Sequence, residues 1–560
     1  MKNPILTVKG NMLHLELPGW NTAQVDAIKQ NLICWRLKPK SVNILVSEPL
    51  ALAQWEIKEL FPRITISEAD RQELRFLILR HTQPKTQNWV NEDLFPIQRE
   101  PANLLHARER ALLTAAPGLG KTVISLVALR NLVADLVIIV VPLTSLDGWR
   151  EEVERWYIPK AQTRVRMSVW REIDDVRVLT EDEDGTTKLI LTTPNVINGI
   201  QNLESSFGEG LASVFYDARY LNSFLILDES FLYQNRKSGR TNIISELSEN
   251  FRTVWLLSGM PVSKVNDDLF SQLKILYPKS FRSYWKFAGR YCLLETNFWG
   301  TKIVGNKPNS EQLLLRDLAD IIVNCDYPKN VPEWIPVEIE VPMEPVQEQI
   351  YLEAKEKLLI EAKHLKSKKP LPIKRLISLT TRLLQIASNP LLIDSVAEGS
   401  GKWNKLIELM REEDMPCLVW VKYKATADRL SKILREEFPK LDVEVLTGNT
   451  KSSQRYALVK KFQEGDLDIL IINDSVGKYS LTLTAARVAY YLERNFDSEA
   501  YYQSLFRARR ITSKHPVKIV LLKSTYADGS PTIDQLVHEA LLERSQNAQL
   551  LTIGELVGRC

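Results

Sequence analysis

A glycine-rich stretch, Ala115-Ala-Pro-Gly-Leu-Gly-Lys-Thr122, places a lysine and a hydroxyl just before the helical run Val123–Asn131. Backbone N–H groups at such a loop and helix start cradle phosphate oxygens, and the helix dipole favours their charge. Pro117, Gly118, Leu119 and Gly120 would form the cradle, Lys121 would reach the β- and γ-phosphates, and the Thr122 hydroxyl would ligate Mg²⁺. Ala115 stands where the strict pattern has glycine. Further on, Phe224-Leu-Ile-Leu-Asp-Glu-Ser230 is an apolar strand ending in two carboxylates. Asp228 is suited to hold Mg²⁺ through water, and Glu229 to orient and deprotonate an attacking water. Phosphoryl transfer needs little beyond a metal, a cradle, a positioned water and added positive charge. Alone, the first segment could be a turn that binds nothing and the second a plain strand end. Together they predict hydrolysis of a nucleoside triphosphate.

These groups need a scaffold, and the spacing of short apolar runs supplies one. Ala111–Ala115, Leu136–Val141, Lys188–Thr192, Phe224–Leu227 and Thr253–Leu257 are continuously apolar rather than alternating, as strands buried on both faces of a parallel sheet are. A second set follows at Leu418–Val421, Val443–Leu446, Asp468–Ile472, Val488–Leu492 and Val517–Leu522. The expected fold class is α/β, with two parallel-sheet layers. Residues 266–400 carry helical stretches such as Pro345–Leu365 and no comparable strand series. Within them Lys355–Arg382 holds nine Lys or Arg against two Glu, either a solvated helix face or a phosphate-contacting surface. The acidic run Glu181–Asp184 reads as a solvated loop.

Composition excludes several classes. The chain has 560 residues, 44% hydrophobic and 25% charged, which rules out a disordered or collagen-like polymer. Lys plus Arg total 73 against 69 Asp plus Glu, and this near balance leaves nucleic acid open as a partner because local pattern decides that. Five scattered cysteines argue against zinc and structural disulfides and suit a reducing cytosol. Met1–Gly19 lacks the apolar run expected of a signal peptide, and the most apolar stretch, Leu132–Leu143, is too short to span a bilayer. A cytoplasmic protein with no membrane partner is expected.

The loop and acidic strand end bring the chain to a family. It resembles the superfamily-two helicases, most closely the SWI/SNF-type branch of double-stranded DNA translocases, from about residue 93 to 545. Phe95-Pro-Ile-Gln98 is similar to that family's adenine-reading segment. Leu136–Leu143 followed by Trp149 and Trp156 resembles the first DNA-contacting motif, and Thr192-Thr193 the next. Asp228–Asn235 parallels the acidic motif, with Gln234 where lysine is usual. Ser258-Gly-Met-Pro261 with Asp267–Phe270 resembles the coupling motif. In the second half, Thr381–Gln385 through Asn389-Pro390, Ser400-Gly-Lys402, Cys417–Val421, Leu446-Thr-Gly448 and Gly477–Ala486 match in turn. Gln503, Arg507 and Arg510 fit the sixth motif, at a spacing that puts all three on one helix face. Arg290-Tyr-Cys292 with Gly300–Asn309 resembles the fork-remodelling, HARP-type annealing helicases.

The resemblance implies two RecA-like lobes with ATP and Mg²⁺ in the cleft between them. Gln98 through Glu229 would lie on the first lobe, and Gln503, Arg507 and Arg510 would act as catalytic groups from the second. Residues 1–92 would be a small α+β accessory domain, 93–265 lobe one, 266–400 helical insertions and linker, 401–545 lobe two, and 546–560 a tail. The implied function is ATP-driven movement along duplex or branched DNA through backbone contacts, in repair, replication-fork or recombination remodelling. Open alternatives are a strand-separating helicase, a motor subunit of a restriction or defence complex, and a non-catalytic ATP-gated clamp. Residues 1–92 are a candidate docking site for a protein partner. Phe231, Met260, Lys478 and Phe506 depart from the family pattern, as does Val323-Asn-Cys-Asp-Tyr-Pro-Lys329, where basic residues are expected. Such divergence suits a bacterial or phage-infected cell, with a nuclear member still open.

Overall fold

The computed structural model describes residues 5–9, 12–16, 36–37, 44–46, 57, 64–74, 93–172, 185–199, 214, 218–259, 262, 265–278, 280–297, 300–328, 331–364, 373–394, 399–413, 415–476 and 481–552. The chain divides into two compact units, Met1–Tyr327 with Asn547–Cys560, and Pro328–Gln546.

Unit 1 opens with short strands β1 (Ile5–Lys9), β2 (Met12–Glu16), β3 (Arg36–Leu37), β4 (Ile44–Val46) and β5 (Thr65–Ile66), in the order β3-β4-β2-β1-β5. Leu6, Val8, Leu13 and Leu15 alternate along their strands and share an apolar cluster with the larger sheet that follows.

That sheet is parallel throughout, in the order β14-β6-β11-β10-β7-β9-β8. Its strands are β6 (Arg110–Ala115), β7 (Leu136–Val140), β8 (Arg164–Trp170), β9 (Thr186–Thr192), β10 (Ser223–Leu227), β11 (Thr253–Ser258) and β14 (Ile322–Cys325). β7, β10 and β11 are buried at every position, as the continuous apolar runs predict for strands covered on both faces. Thr114 pairs with Ser258, Leu227 with Val140, and Val140 with Thr192. The segments after β6, β11, β10 and β9 therefore leave from one edge of the sheet, at the carboxyl ends of its strands, where open α/β folds place ligands. Helices α1 (Pro96–Ala107), α2 (Lys121–Leu129), α3 (Leu146–Glu152), α4 (Asp268–Leu276), α5 (Tyr284–Tyr291) and α6 (Ser310–Asp317) accompany it, with an antiparallel hairpin of β12 (Cys292–Asn297) and β13 (Gly300–Asn306).

Unit 2 holds a second parallel sheet, ordered β15-β20-β19-β16-β18-β17. The strands are β15 (Ile335–Pro342), β16 (Cys417–Val421), β17 (Val443–Leu446), β18 (Ile469–Asn473), β19 (Val488–Tyr491) and β20 (Lys518–Thr525). Its helices include α7 (Pro345–His364), α8 (Ile373–Ser388), α9 (Gly401–Met410), α10 (Lys424–Glu437), α11 (Ser498–Ala508) and the greater part of α12 (Ile533–Thr552). Residues 266–400, expected to hold helices without a strand series, thus also contribute a hairpin and an outermost strand to each parallel sheet. Among the described residues no helix is long and apolar enough to cross a membrane.

Candidate nucleotide site

The loop after β6 is a tight turn. Leu119 N–H donates to the Ala116 carbonyl at 3.1 Å, and Pro117 and Gly118 occupy its two central positions. Gly118 has φ +90° and Gly120 φ +80°, conformations that side chains disfavour. Space also dictates Gly120: an added Cβ would lie 2.6 Å from Nε2 of Gln98. Leu119 is fully buried and anchors the loop in the core. α2 then begins at Lys121, with the first-turn N–H groups that any helix leaves without an intrahelical acceptor. The loop and the helix start thus present the backbone N–H groups that an anion site of the expected type would use.

Asp228 and Glu229 follow β10 on the same sheet edge. Asp228 is buried; its Oδ2 accepts from the Trp149 indole N–H at 2.7 Å and its Oδ1 from the Glu229 N–H at 2.9 Å. Burial raises its pKa, and the Lys121 ammonium is the principal group opposing that rise, followed by the bonds from Trp149 and Glu229. Glu229 has φ 49° and ψ 55°, a left-handed conformation uncommon outside glycine and found at functional sites. Ser230 donates to Gln272 of α4 at 2.7 Å, and Ser271 of α4 donates to the Gln234 carbonyl at 2.9 Å. The helix following the coupling motif thereby braces the acidic turn. Gly259 closes the group: a Cβ there would come within 3.1 Å of the Pro117 ring and 3.3 Å of Lys121 Nζ. Met260 and Pro261 lie outside the described residues.

Several sequence expectations are relocated. Gln98 is buried beneath the loop, its Nε2 donating to the Leu119 carbonyl at 2.7 Å and its Oε1 accepting from Phe95 N–H at 3.0 Å. Beyond these two bonds the amide has a second N–H and a second lone pair. Trp149, expected in a DNA-contacting segment, is instead a buried partner of Asp228. Thr192 and Thr193 are also buried, with Thr192 Oγ1 donating to the Trp170 carbonyl at 3.2 Å, so their side chains do not line an outer surface. Arg290 and Tyr291 both donate to buried Asp317, at 2.7 and 2.9 Å. That segment, the annealing-helicase likeness, anchors α5 to α6 at the base of the β12–β13 hairpin. The run Lys355–Arg382 is described only in part: Lys355 donates to the Tyr526 hydroxyl at 2.8 Å.

Unit 2 carries the arginines. Gln503 and Arg507 lie on α11, but the helix ends at Ala508 and Arg509 is extended, φ −116° and ψ 122°. Arg510 thus lies beyond the helix, and the expected shared face is limited to Gln503 and Arg507. Two bonds tie these arginines to the preceding motif. Leu483 N–H donates to the Arg507 carbonyl, and Arg510 Nη2 donates to the Leu481 carbonyl, each at 2.8 Å. Phe506, where an acidic residue is usual, is buried against Trp334 and Tyr502, ring centroids 4.9 and 4.7 Å away. Lys402 is likewise structural, its ammonium buried 2.5 Å from Asp534 Oδ2 and 3.1 Å from the Leu492 carbonyl. Gly477 through Ser480, including Lys478, lie outside the described residues.

The SNF2-related domain profile matches residues 70–392, and the helicase conserved C-terminal domain profile matches 401–512. The SWI/SNF-related matrix-associated actin-dependent regulator of chromatin subfamily A-like protein 1 of Xenopus tropicalis is 24% identical over 481 residues, 84% of this chain and 45% of that protein. The DNA annealing helicase and endonuclease ZRANB3 of Mus musculus is 24% identical over 474 residues, 81% of this chain and 40% of that one. The chain thus spans less than half the length of these two relatives. A solved structure of the Sulfolobus solfataricus SWI2/SNF2 ATPase core in complex with dsDNA is 20% identical, covering 83% of this chain and 94% of that one at a TM-score of 0.35.

Proposed function

From its membership of the SNF2-related family, we propose that the chain is an ATP-dependent motor that couples hydrolysis to movement along duplex DNA. The observation that carries this is the convergence of Lys121, the loop glycines and buried Asp228 at the carboxyl edge of one parallel sheet. Loop and α2 N–H groups would bind the phosphates, and Lys121 would neutralise the β- and γ-oxygens. Thr122 and Asp228 would hold Mg²⁺, which when bound offsets charge on the transferred phosphoryl group. Glu229 would orient the attacking water and take its proton. Arg507 and Arg510 would complete the reaction from unit 2, with Gln503 beside Arg507, so that turnover draws on both units. Their ties to Leu481 and Leu483 join them to the segment that precedes β19.

DNA recognition through the backbone suits a motor that must pass every sequence. Remodelling of forks or other branched DNA in repair or recombination is the role we favour, with residues 1–92 as a candidate partner-docking region. The test pairs two substrates. Duplex DNA should raise ATP turnover at least tenfold, and the protein should strip a triplex-forming strand while leaving a duplex unseparated. Strand separation would instead establish a helicase, and absence of DNA-stimulated turnover would leave the ATP-gated clamp.

The indole of Trp149 invites a separate measurement. Trp149→Phe keeps a buried aromatic ring, deletes part of its volume and removes the bond to Asp228. Losing a second partner of a metal-holding carboxylate typically costs 10–100-fold in metal affinity or activity. The half-saturating Mg²⁺ concentration for ATP turnover should therefore rise at least about tenfold. An unchanged Mg²⁺ titration would mean the indole only packs.

A further inference from the structure

The segment Val323–Lys329, where the resembled family is basic, contains a tyrosine placed against the phosphate loop. β14 pairs with β6 in parallel, Asn324 with Thr114 and Cys325 with Ala115, so the chain beyond Cys325 leaves the sheet beside the loop that follows Ala115. The strand is held on both sides: Thr114 Oγ1 bonds Asn324 Oδ1, and Cys325 Sγ donates to the Ile97 carbonyl of α1 at 3.7 Å. Two residues on, the Tyr327 hydroxyl donates to the Pro117 carbonyl at 2.8 Å.

Pro117 and Gly118 are the central residues of the Ala116–Leu119 turn, and φ +90° at Gly118 is the signature of a type II turn with proline at its first central position. Types I and II differ by a flip of the central peptide. In a trans peptide the carbonyl and the following N–H point in opposite directions. Whatever fixes the Pro117 carbonyl therefore fixes the direction of the Gly118 N–H, one donor of the cradle.

We propose that Tyr327 is a positioning residue that locks the Pro117–Gly118 peptide in its type II orientation and so presets the loop for nucleotide phosphates. The proposal rests on the reading of Ala115–Thr122 as the phosphate site. Losing one neutral hydrogen bond costs severalfold in an equilibrium constant. Tyr327→Phe should thus weaken binding of fluorescently labelled ADP and β,γ-imido-ATP about three- to tenfold. KM for ATP should rise in parallel, while kcat at saturating ATP stays within about twofold.

The chemistry of rescue separates positioning from packing. 4-Aminophenylalanine at position 327 returns an N–H donor to the same place and should restore both affinities to near the wild-type value. Tyr327→Phe with unchanged affinity overturns the proposal. So does a loss that 4-aminophenylalanine leaves uncorrected while the melting temperature falls, since Tyr327 would then only support the fold. Wild-type protein that binds neither labelled nucleotide would defeat the underlying phosphate-site reading instead.

Discussion

Lys121→Ala removes ATP turnover, a fall of at least 10²–10³-fold, and leaves the melting temperature close to that of the parent protein. Two effects combine in that loss. In the proposed site the ammonium would neutralise the transferring phosphates, and deleting one such preorganised group costs about 10²–10³-fold. It is also the main charge opposing the rise in the Asp228 pKa, so its removal favours the protonated acid, which holds Mg²⁺ poorly. Folding is spared because Lys121 is only part-buried at the start of α2, and alanine is a good helix former. Steady-state turnover with saturating duplex DNA, beside a thermal melt, checks both halves. Normal hydrolysis by this variant would remove the loop from the active site.

Arg507→Lys is the second large effect, a fall in kcat of about 10³-fold or more with nucleotide binding retained. An arginine supplied to a transferring phosphoryl group contributes about 10³–10⁵ in rate. Lysine keeps the charge but lacks the planar fork that matches phosphate oxygens. Retained binding follows because the loop, α2 and Lys121 all belong to unit 1. The Arg507 carbonyl, which accepts from Leu483, is unaffected by a change of side chain. Single-turnover hydrolysis, set against equilibrium binding of a labelled nucleotide, separates chemistry from affinity. A drop smaller than tenfold would leave Arg507 outside the chemistry. Arg510→Lys asks a different question, since its guanidinium also holds the Leu481 carbonyl and its loss should loosen that segment as well.

The sequence made the two sheets legible where their strands are buried on both faces, because an uninterrupted run such as Leu136–Val140 has no other economical home. Strands near the margins were harder. β8 is part-exposed along most of its length, and β15 contains two prolines and alternates with solvent, so neither presents a solid apolar run. β14 has only four residues and includes Asn324. The glycine-rich turn after β6 is legible because its residues are contiguous. The contact of Trp149 with Asp228 is not legible, because the two residues lie 79 apart and one chain's spacing holds no trace of an indole meeting a carboxylate. Arg510 was put on a helix face by spacing alone, although the β-branched pair Ile511-Thr512 just beyond it disfavours helix.

Gln98 occupies the volume that any side chain at position 120 would claim. The part of the protein expected to recognise a purine and the part expected to grasp the triphosphate are therefore interlocked like cog and pawl. Altering Gln98 to change base preference would also disturb the turn that follows β6.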